Sequence, residues 1–570
     1  MIYFGSIAIG LIRQGPIALV SDGLLPGLPP RVANGRGNNH DDEEDHTMIP
    51  GGTSEAAELI KALTQYGENK RIVDGKYDES CAVTCLNGTF VGKRRDDIIS
   101  FKGIPFVGAQ PIGDLRWKAP VDVVADEGVY EAYYNANSPC QSGNFDEGGF
   151  MSQQGEDCLY LDIWKADDKT SAKKPVMVWI HGGAYEAGGT AAPPFDCHNF
   201  VSENPDVICV TIGYRLGVFG FFHLSHLADG ADYPDAQNLG LMDQLMGLKW
   251  VHNNIAAFGG DPDNVTIWGE SAGAGSVTLL SLVEGSHEFF HRVIAQSGSP
   301  ILTRSPEEAI ECTNEMMEVF GCKTVEDLMK VDAHELARAS RSLYIRIMPE
   351  RDGRFLPKDP FEEVRKGAVK DIDFLQGCNL NEMDYFADLM GTETYKAWAD
   401  GRTNKRYAKL SDEEKALVDG FVESIEDTGA NRAARLIDQI WFNAPLIRMS
   451  ENQTMAGGTS YTYYFRAREQ HGIELTIVFN HPEMDDPETA PDETFCKTMR
   501  RMWVKFATCG DPSLTADESP DGVAKVWPVF DLEDERVMVL DEFDIHAERE
   551  SDLHIVDRDR TYFLTGYYWI

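Results

Sequence analysis

A segment of five residues, 269–273 (Gly-Glu-Ser-Ala-Gly), constrains the fold of this chain more than any other feature. It directly follows an apolar, β-branched run at 265–268 (VTIW) and directly precedes a helical run at 272–283 (AGAGSVTLLSLV). A strand that turns this sharply into a helix needs glycines where a Cβ would collide with the neighbouring strand or helix. The turn lifts the Ser271 hydroxyl out at the carboxyl end of a sheet, where open α/β folds bind their ligands.

Short apolar strands alternate with amphipathic helices through the chain. The predicted strands are residues 159–164, 176–180, 207–212, 265–268 and 292–296. Their apolar runs are too continuous to leave one face in water, which indicates buried central strands. Helices are predicted at 239–258 and 495–512, and Gly and Pro residues end both. This alternation predicts an α/β fold with a large, mostly parallel central sheet flanked by helices on both faces.

The charge balance excludes several classes of partner. The chain of 570 residues has 52 Lys+Arg and 93 Asp+Glu, a formal net charge of −41 at pH 7. Neutralising phosphates requires Lys and Arg, so we expect no nucleic-acid partner, and anionic membrane surfaces are disfavoured. Hydrophobic residues at 42% and charged residues at 25% are ordinary for a globular protein. No apolar stretch has the length that a transmembrane segment needs.

The N-terminal part differs in composition from the rest of the chain. Residues 22–54 are rich in Gly, Pro, Asn and acidic residues and resemble a linker, whereas residues 55–68 fit a short helix. We therefore predict a partly disordered N-terminal extension at 1–78 and one domain at 79–570. The apolar N-terminus lacks both the preceding positive charge and the small-residue cleavage site of a signal peptide. Met48 is a second candidate start, and the sequence fits a cytoplasmic and a secreted protein equally.

Cysteines and histidines give no metal-binding pattern. The chain has 11 cysteines, an odd number, so at least one lies outside any intramolecular disulfide. No Cys/His cluster has zinc spacing, and the sequence predicts neither a metal site nor a cofactor. Two pairs, Cys140 with Cys158 and Cys312 with Cys322, have plausible spacing for disulfide loops. Both pairs would stay reduced in a cytosolic protein.

A second glycine-rich segment, together with the turn at 269–273, indicates that Ser271 is a nucleophile. Residues 181–189 (HGGAYEAGG) follow the predicted strand at 176–180. Acyl transfer from a serine needs an oxyanion hole, and such a loop supplies backbone N–H donors while the residue after the nucleophile supplies another. We predict Gly183, Ala184 and Ala272 as these donors. Two matching elements in the right order make an incidental glycine turn a poor explanation.

The chain resembles the type-B carboxylesterase/lipase family, the cholinesterase-like branch of the α/β-hydrolases. The resemblance runs from about residue 84 to the C-terminus, and the first 78 residues lie outside it. It rests on the ordered segments EDCLYLDIW, VMVWIHGGAYEAGG, TIGYRLGVFGFF, NLGLMDQLMGLKWVHNNIAAFGGDPDNVTIWGESAGAGSV and FFHRVIAQSGSP. The fold implied is the α/β-hydrolase fold, and the activity implied is that of a serine carboxylesterase.

The resemblance also implies the other two members of a catalytic triad. The family's G-x-N-x-x-E pattern matches residues 377–382 and gives Glu382, and its H-x-x-E-L-x-x-V-F pattern gives His471. In the implied mechanism His471 takes the proton of Ser271, and Glu382 orients the imidazole. Without the resemblance, four other histidines are candidate bases: His287, His291, His334 and His481. For each of them the interpretation as a surface or core histidine is favoured.

Four cysteines and two residues near the nucleophile are assigned further roles. Glu270 beside the nucleophile either tunes the field of the site or serves as a structural hydrogen-bond partner, and the sequence leaves both open. Ser297 either supports the triad from behind or has only a structural role, and the structural role is favoured. The pair Cys140 and Cys158 matches the family's first disulfide loop in position, and Cys312 and Cys322 match the second.

The substrate is predicted only by class. The segment 141–157 is short, acidic and glycine-rich and lacks the apolar stripe of a lipid-sensing lid, which favours soluble small-molecule esters. It has Phe145 and Phe150 but no Trp for a quaternary ammonium, which disfavours a cholinesterase. A lipase, a lactone or amide hydrolase and a non-catalytic binding protein of the same fold remain alternatives. The oligomeric state is not predicted.

Overall fold

The computed structural model describes residues 67–141, 153–168, 170–340, 347–391, 394–396, 398–399, 407–426 and 430–566. The predicted linker, nearly all of the predicted helix at 55–68 and most of the segment 141–157 lie outside these residues.

The central feature is an eleven-stranded sheet that contains every strand predicted from the sequence. The strands of the described residues are β1 Ala82–Cys85, β2 Gly88–Val91, β3 Lys93–Arg95, β4 Ile98–Pro105, β5 Val129–Glu131, β6 Ser138–Pro139, β7 Gln154–Gly155, β8 Tyr160–Ala166, β9 Lys174–Ile180, β10 Ile208–Ile212, β11 Gly260–Glu270, β12 Arg292–Gln296, β13 Asp373–Asn379, β14 Ser460–Phe465, β15 Arg536–Asp541 and β16 Asp544–Arg549. The large sheet has the order β16-β15-β14-β13-β12-β11-β9-β10-β8-β4-β3.

The middle of this sheet is parallel and its borders are antiparallel. Strands β10, β9, β11, β12, β13, β14 and β15 pair in parallel, whereas β8, β4 and β3 at one border and β16 at the other pair antiparallel. Parallel strands need crossover connections, and the long helices supply them. The predicted α/β-hydrolase architecture is therefore confirmed.

Helices connect the strands and cover the sheet. The longer ones are His198–Glu203, Leu239–Asn254, Ala272–Leu280, Pro306–Phe320, Ala333–Ser340, Pro360–Arg365, Asp384–Met390, Asp412–Ser424, Ala430–Asp438, Ala444–Met455 and Glu493–Cys509. The predicted helix at 239–258 ends at Asn254 and continues as a 3-10 turn, Ile255–Phe258. Among the described helices, none combines the length and the hydrophobicity needed to span a membrane.

Both faces of the sheet are buried, and around β9 they belong to two separate cores. Along β9, Val176 and Val178 belong to one hydrophobic cluster, and Met177 and Trp179 belong to the other. Side chains of a strand alternate between the two faces, so the two clusters lie on opposite sides of the sheet. The helix Leu239–Asn254 contributes to the first cluster, and the helix Glu493–Cys509 contributes to the second. This double covering explains why the central strands are apolar without alternation.

A small sheet precedes the large one and holds the described end of the predicted N-terminal extension. It contains β1, β2 and β5. Ile72 donates its backbone N–H to Val129 O at 2.8 Å, and Glu131 donates to Lys70 O at 2.9 Å. Lys70 and Ile72, in the described end of the extension, therefore pair with β5 at the edge of this sheet. The domain boundary at residue 78 stays a prediction.

Candidate active site

Ser271 lies at the sharp turn between β11 and the helix Ala272–Leu280. Its backbone has φ 57° and ψ −122°, a conformation that non-glycine residues rarely adopt and that marks functional strain. A Cβ on Gly273 would lie 2.0 Å from Ile180 O, and one on Gly269 would lie 2.5 Å from the carbonyl carbon of Gly273. Gly273 is therefore required by the close approach of β9, and Gly269 by that of the helix Ala272–Leu280, as the sequence predicted. Ser271 itself is half-buried.

The glycine-rich loop after β9 packs directly against this turn. A Cβ on Gly182 would lie 3.1 Å from Ser271 Cβ. The following residues Gly183, Ala184 and Tyr185 all have positive φ, at 102°, 57° and 61°. Ala187 donates its N–H to Gly183 O at 2.9 Å and closes the loop.

The backbone N–H groups of this loop are available to a ligand. Within the described residues, no acceptor takes the N–H groups of Gly183, Ala184 or Ala272. Gly183 is exposed and Ala184 is half-buried, so the loop faces the opening of the site. Ala272 is the first residue of its helix, whose N-terminal N–H groups and dipole favour an anion. The predicted role of these three groups as oxyanion donors stays a prediction.

His471 and Glu382 form a buried, charge-assisted pair. His471 Nδ1 lies 2.6 Å from Glu382 Oε2, and Asn379 donates its backbone N–H to Glu382 Oε1 at 2.7 Å. Both oxygens of the carboxylate are thereby held. Glu382 follows β13 and His471 follows β14, so they come from the same edge of the sheet as the turn after β11. The structure thus brings together the two residues that the resemblance implied.

The other nitrogen of His471 faces Glu270 rather than the serine. His471 Nε2 lies 3.1 Å from Glu270 Oε1, and among the described contacts it has no hydrogen bond to Ser271 Oγ. This oxygen of Glu270 accepts no hydrogen bond from the described residues, so the contact is an ion pair with poor hydrogen-bond alignment. Long or misaligned bonds are common in catalytic sites without substrate. Glu270 is therefore in direct contact with the imidazole.

Carboxylates set the electrostatics around His471. Burial disfavours the charged imidazole, but the attraction of Glu270 and Glu382 outweighs burial and raises the pKa of His471 to about 9. Burial raises the pKa of Glu270 to about 8, although His471 acts in the opposite direction. Burial also raises the pKa of Glu474, which accepts hydrogen bonds from the amides of Gln296 and Asn379. The contact with these carboxylates therefore favours the charged form of the imidazole.

Ser297 lies beside the nucleophile turn in the fold. It is buried, has φ 55°, and donates its backbone N–H to Gly377 O at 2.8 Å. A Cβ on the next residue, Gly298, would lie 2.4 Å from Ser271 O. The hydroxyl of Ser297 has no hydrogen-bond partner among the described residues. Its supporting role stays a prediction.

Sequence reasoning missed the aromatic side chains around the imidazole. Phe386 and Phe442 have ring centroids 5.4 Å and 5.3 Å from that of His471. Phe442 lies in a π-helical segment, Gln439–Asn443, a geometry that often occurs at functional sites. Phe442 is near no recognised motif, and Phe386 lies four positions after Glu382, outside the pattern that located this glutamate. No local pattern therefore identified them. Glu474, by contrast, was visible as the acidic residue of the H-x-x-E pattern that located His471.

The rival histidines are occupied elsewhere. His287 Nε2 lies 2.7 Å from Ser281 O, and the backbone N–H of Val265 lies 3.3 Å from His291 Nδ1. His481 contacts Glu483 and the Asp196 carbonyl, while His334 is exposed. Of the five histidines considered from the sequence, only His471 lies beside the nucleophile turn.

The four cysteines of the two predicted disulfides are free thiols in the structure, as are the other seven cysteines. Cys140 and Cys158 are buried and line one small cavity together. Burial raises the pKa of Cys140 to about 12, which makes its thiol unreactive. Cys312 is buried within the helix Pro306–Phe320, and Cys322 follows the end of that helix. The two disulfides stay predictions.

Comparisons with known proteins cover most of the chain. Residues 79–553 match the model of the Carboxylesterase family. Para-nitrobenzyl esterase of Bacillus subtilis is 30% identical over 502 residues, which cover 82% of this chain and 97% of that protein. Cholinesterase of Mus musculus is 30% identical over 496 residues, 78% of this chain and 79% of that protein. A crystal structure of the Geobacillus stearothermophilus carboxylesterase EST55 has a TM-score of 0.72 and 30% identity, and the match covers 85% of this chain and 100% of that chain.

Proposed function

The chain belongs to the carboxylesterase family and hydrolyses carboxylic esters, and from this premise we propose that it works through an acyl-enzyme intermediate on Ser271. His471 is the general base and acid, and Glu382 orients it. Gly183, Ala184 and Ala272 form the oxyanion hole. The observation that carries the proposal is the 2.6 Å bond between Glu382 and His471, whose imidazole also contacts the residue preceding Ser271.

The proposed reaction has two halves. Ser271 Oγ attacks the ester carbonyl while its proton passes to His471 Nε2, and the tetrahedral oxyanion accepts hydrogen bonds from the three backbone N–H groups. His471 then returns the proton to the departing alcohol, which leaves the acyl group on Ser271. In the second half water takes the place of the serine and releases the carboxylic acid. Glu382 stabilises the imidazolium in each half.

Glu270 sets the pH at which this cycle can run. The imidazole must be neutral to accept the serine proton, but the contact with Glu270 favours its charged form and holds Nε2 away from Ser271. We infer that the imidazole turns from Glu270 to Ser271 when it loses its proton. Activity should therefore rise with pH through the pKa of His471.

The variant Glu270→Gln should move this rise to lower pH. Removing the negative charge removes an attraction for the imidazolium, so the pKa of His471 falls and the neutral base is present at lower pH. An adjacent opposite charge typically shifts a pKa by about 1 to 3 units, and we expect a displacement of at least about 1 unit. The measurement is the pH profile of kcat/KM for a soluble ester. Glu127→Gln, which removes an exposed charge, is the matched control; coincident profiles for all three proteins would contradict the inference.

The oxyanion hole can be tested at Gly183. A Cβ there would lie 2.2 Å from Ala187 O at a φ of 102°, so Gly183→Ala must displace the loop that carries two of the three donors. Losing one donor typically lowers kcat by about 10²-fold to 10³-fold, and we expect a loss in that range with KM little changed. Gly285→Ala is the control, because Gly285 has φ 79° and nothing within 4 Å of its Cβ. Equal kcat in the two variants would argue against these donors.

The acyl-enzyme itself is tested with p-nitrophenyl esters of increasing acyl length. We expect a burst of one nitrophenolate per chain, followed by slower turnover, and an acid-quenched acyl group on the peptide that contains Ser271. Activity should be greatest on short, soluble esters, in line with the acidic composition of residues 141–157. A burst without acyl transfer to Ser271 would overturn the mechanism. A rise in rate above the solubility limit of the ester would instead indicate a lipase.

A further inference from the structure

A second Ser-His-Glu constellation lies in the loop that follows β10 and the short helix Gly217–Gly220. Ser225 Oγ lies 3.1 Å from His223 Nε2, and His223 Nδ1 lies 2.7 Å from Glu350 Oε2. The order of contacts is the one expected of a nucleophile, a base and an orienting acid, with the acid on Nδ1 and the serine on Nε2. None of these residues takes part in the site around Ser271.

Buried hydrogen bonds fix the acid and the base of this constellation. Glu350 is 1% exposed, donates its backbone N–H to Asn238 Oδ1 at 2.8 Å, and accepts from Asn238 Nδ2 through its carbonyl at 3.0 Å. Thr313 Oγ1 donates to His223 O at 2.8 Å. The Glu350 carboxylate accepts a hydrogen bond from the Nδ1–H group of His223. Nε2 of the same imidazole is then unprotonated and accepts a hydrogen bond from the Ser225 hydroxyl. The imidazole is thereby held in the tautomer that a general base needs.

Ser225, in contrast, is open to solvent. It occupies the tip of a turn that Leu227 closes by donating its N–H to Leu224 O at 3.0 Å. Within the described residues, the backbone N–H groups of Ser225 and His226 have no acceptor, so both are free to bind an oxyanion. No direct hydrogen bond or ion pair among the described residues joins this turn to Glu270, Glu382 or His471. A reagent can reach Ser225 without passing the main site.

We propose that Ser225 is a second acyl- and phosphonyl-accepting serine of this protein, activated by His223. With an activated ester, a bond forms between Ser225 Oγ and the carbonyl carbon, the bond to the leaving alcohol breaks, and the serine proton passes through His223 Nε2 to that alcohol. With a fluorophosphonate, an O–P bond forms, the P–F bond breaks, fluoride leaves, and His223 takes the proton. Glu350 is a positioning residue that acts through His223. Because Ser225 is exposed to solvent, we expect the reaction to be slower there than at Ser271.

The test uses an alkyl fluorophosphonate on the full-length variant Ser271→Ala, with adducts located by peptide mass spectrometry over time. We expect one adduct per chain, on the peptide that contains Ser225, and its loss in Ser271→Ala/Ser225→Ala. Adding His223→Gln should slow the labelling by at least about 10-fold, because general-base assistance is removed. Added imidazole should restore labelling in Ser271→Ala/His223→Ala. Adding Glu350→Gln to Ser271→Ala should slow the labelling of Ser225, whereas Glu350→Gln alone should leave the Ser271-dependent turnover of the wild type unchanged.

Ser424 is the matched control within the same molecule. It is an exposed serine whose hydroxyl donates to Phe421 O at 2.6 Å, and within the described part of the chain it has no hydrogen bond to an imidazole. Labelling of Ser225 no faster than that of Ser424, or labelling that His223→Gln does not slow, would overturn the proposal. The wild-type protein provides the same readout if Ser271→Ala does not fold, because the peptides containing Ser225 and Ser271 are measured separately. A protein that labels at Ser225 but not at Ser271 would contradict the proposed function and leave this inference intact.

Discussion

Replacing Ser271 with alanine is expected to lower kcat for p-nitrophenyl acetate by about 10⁵-fold, while the substrate still binds. Removal of the nucleophile from a serine triad leaves only the catalysis supplied by binding and by the oxyanion hole. The fold should persist, because no residue of the described structure depends on the Ser271 hydroxyl for a hydrogen bond. Its structural contacts run through the backbone, from its N–H to Gln296 O at 2.8 Å and from Gly275 N–H to its carbonyl at 2.9 Å.

The control for this variant is Ser281→Ala, beyond the other end of the same helix. Ser281 is buried and donates its hydroxyl to Thr278 O at 2.6 Å, so its loss tests the tolerance of the helix without touching the site. We expect wild-type kcat from Ser281→Ala and similar melting temperatures for both variants. Turnover by Ser271→Ala above about a hundredth of the wild-type rate would contradict a mechanism in which this serine carries the acyl group.

The sequence was most informative where structure is determined locally. The turn at 269–273 and the strands beside it are short, contiguous and chemically restricted, since a buried strand needs apolar residues and a tight turn needs glycine. The predicted strand at 292–296 coincides with β12, whereas β11 is longer than its predicted core and spans Gly260–Glu270. Its first part contains Pro and acidic residues and pairs with β9 through a register shift between Gly260 and Val265. An apolar pattern alone could not include that part.

The partners of Ser271 could not be located from the sequence by physical reasoning alone. Glu382 and His471 follow β13 and β14, and they meet the turn after β11 only because β11, β12, β13 and β14 are neighbours in the sheet. Strand order is set by the packing of the whole domain and leaves no local trace. The resemblance to a known family supplied this information for the triad. It supplied none for Phe442, which reaches the imidazole from a π-helical segment.

The same limit explains why the second constellation was not anticipated. Ser225 and His223 are two positions apart, but such a pair is common and carries little meaning without an acid on the other nitrogen. Glu350 lies 127 positions from His223 in the chain. Glu350 reaches the imidazole because its backbone is hydrogen-bonded to the Asn238 side chain, a contact that only the folded structure reveals.

The second large effect is expected from Glu382→Gln, which should lower kcat by about 10⁴-fold with a smaller change in KM. The glutamine carbonyl would take the Asn379 N–H, as Oε1 does now, and its NH₂ group would then face His471 Nδ1. Nδ1 would have to accept, so the imidazole proton would move to Nε2 and the base would be lost. Replacing the acid of a serine triad with an amide has an effect of this size because it stabilises the wrong tautomer.

Glu474→Gln separates this tautomer effect from the simple loss of a charge. Glu474 belongs to the same buried acidic group, but its oxygens accept from the side-chain amides of Gln296 and Asn379 rather than from the imidazole. Trp503 and Gln470 hold these two amides in their present orientation, so a glutamine at 474 can keep one of the two hydrogen bonds through its oxygen and loses the other. We therefore expect kcat to fall by no more than about 10-fold, the equivalent of about one neutral hydrogen bond. Both variants remove one negative charge near His471, and only Glu382→Gln reverses the polarity at Nδ1. Equal losses in the two variants would mean that the charge of the acidic group, and not the orientation of the imidazole by Glu382, governs the reaction.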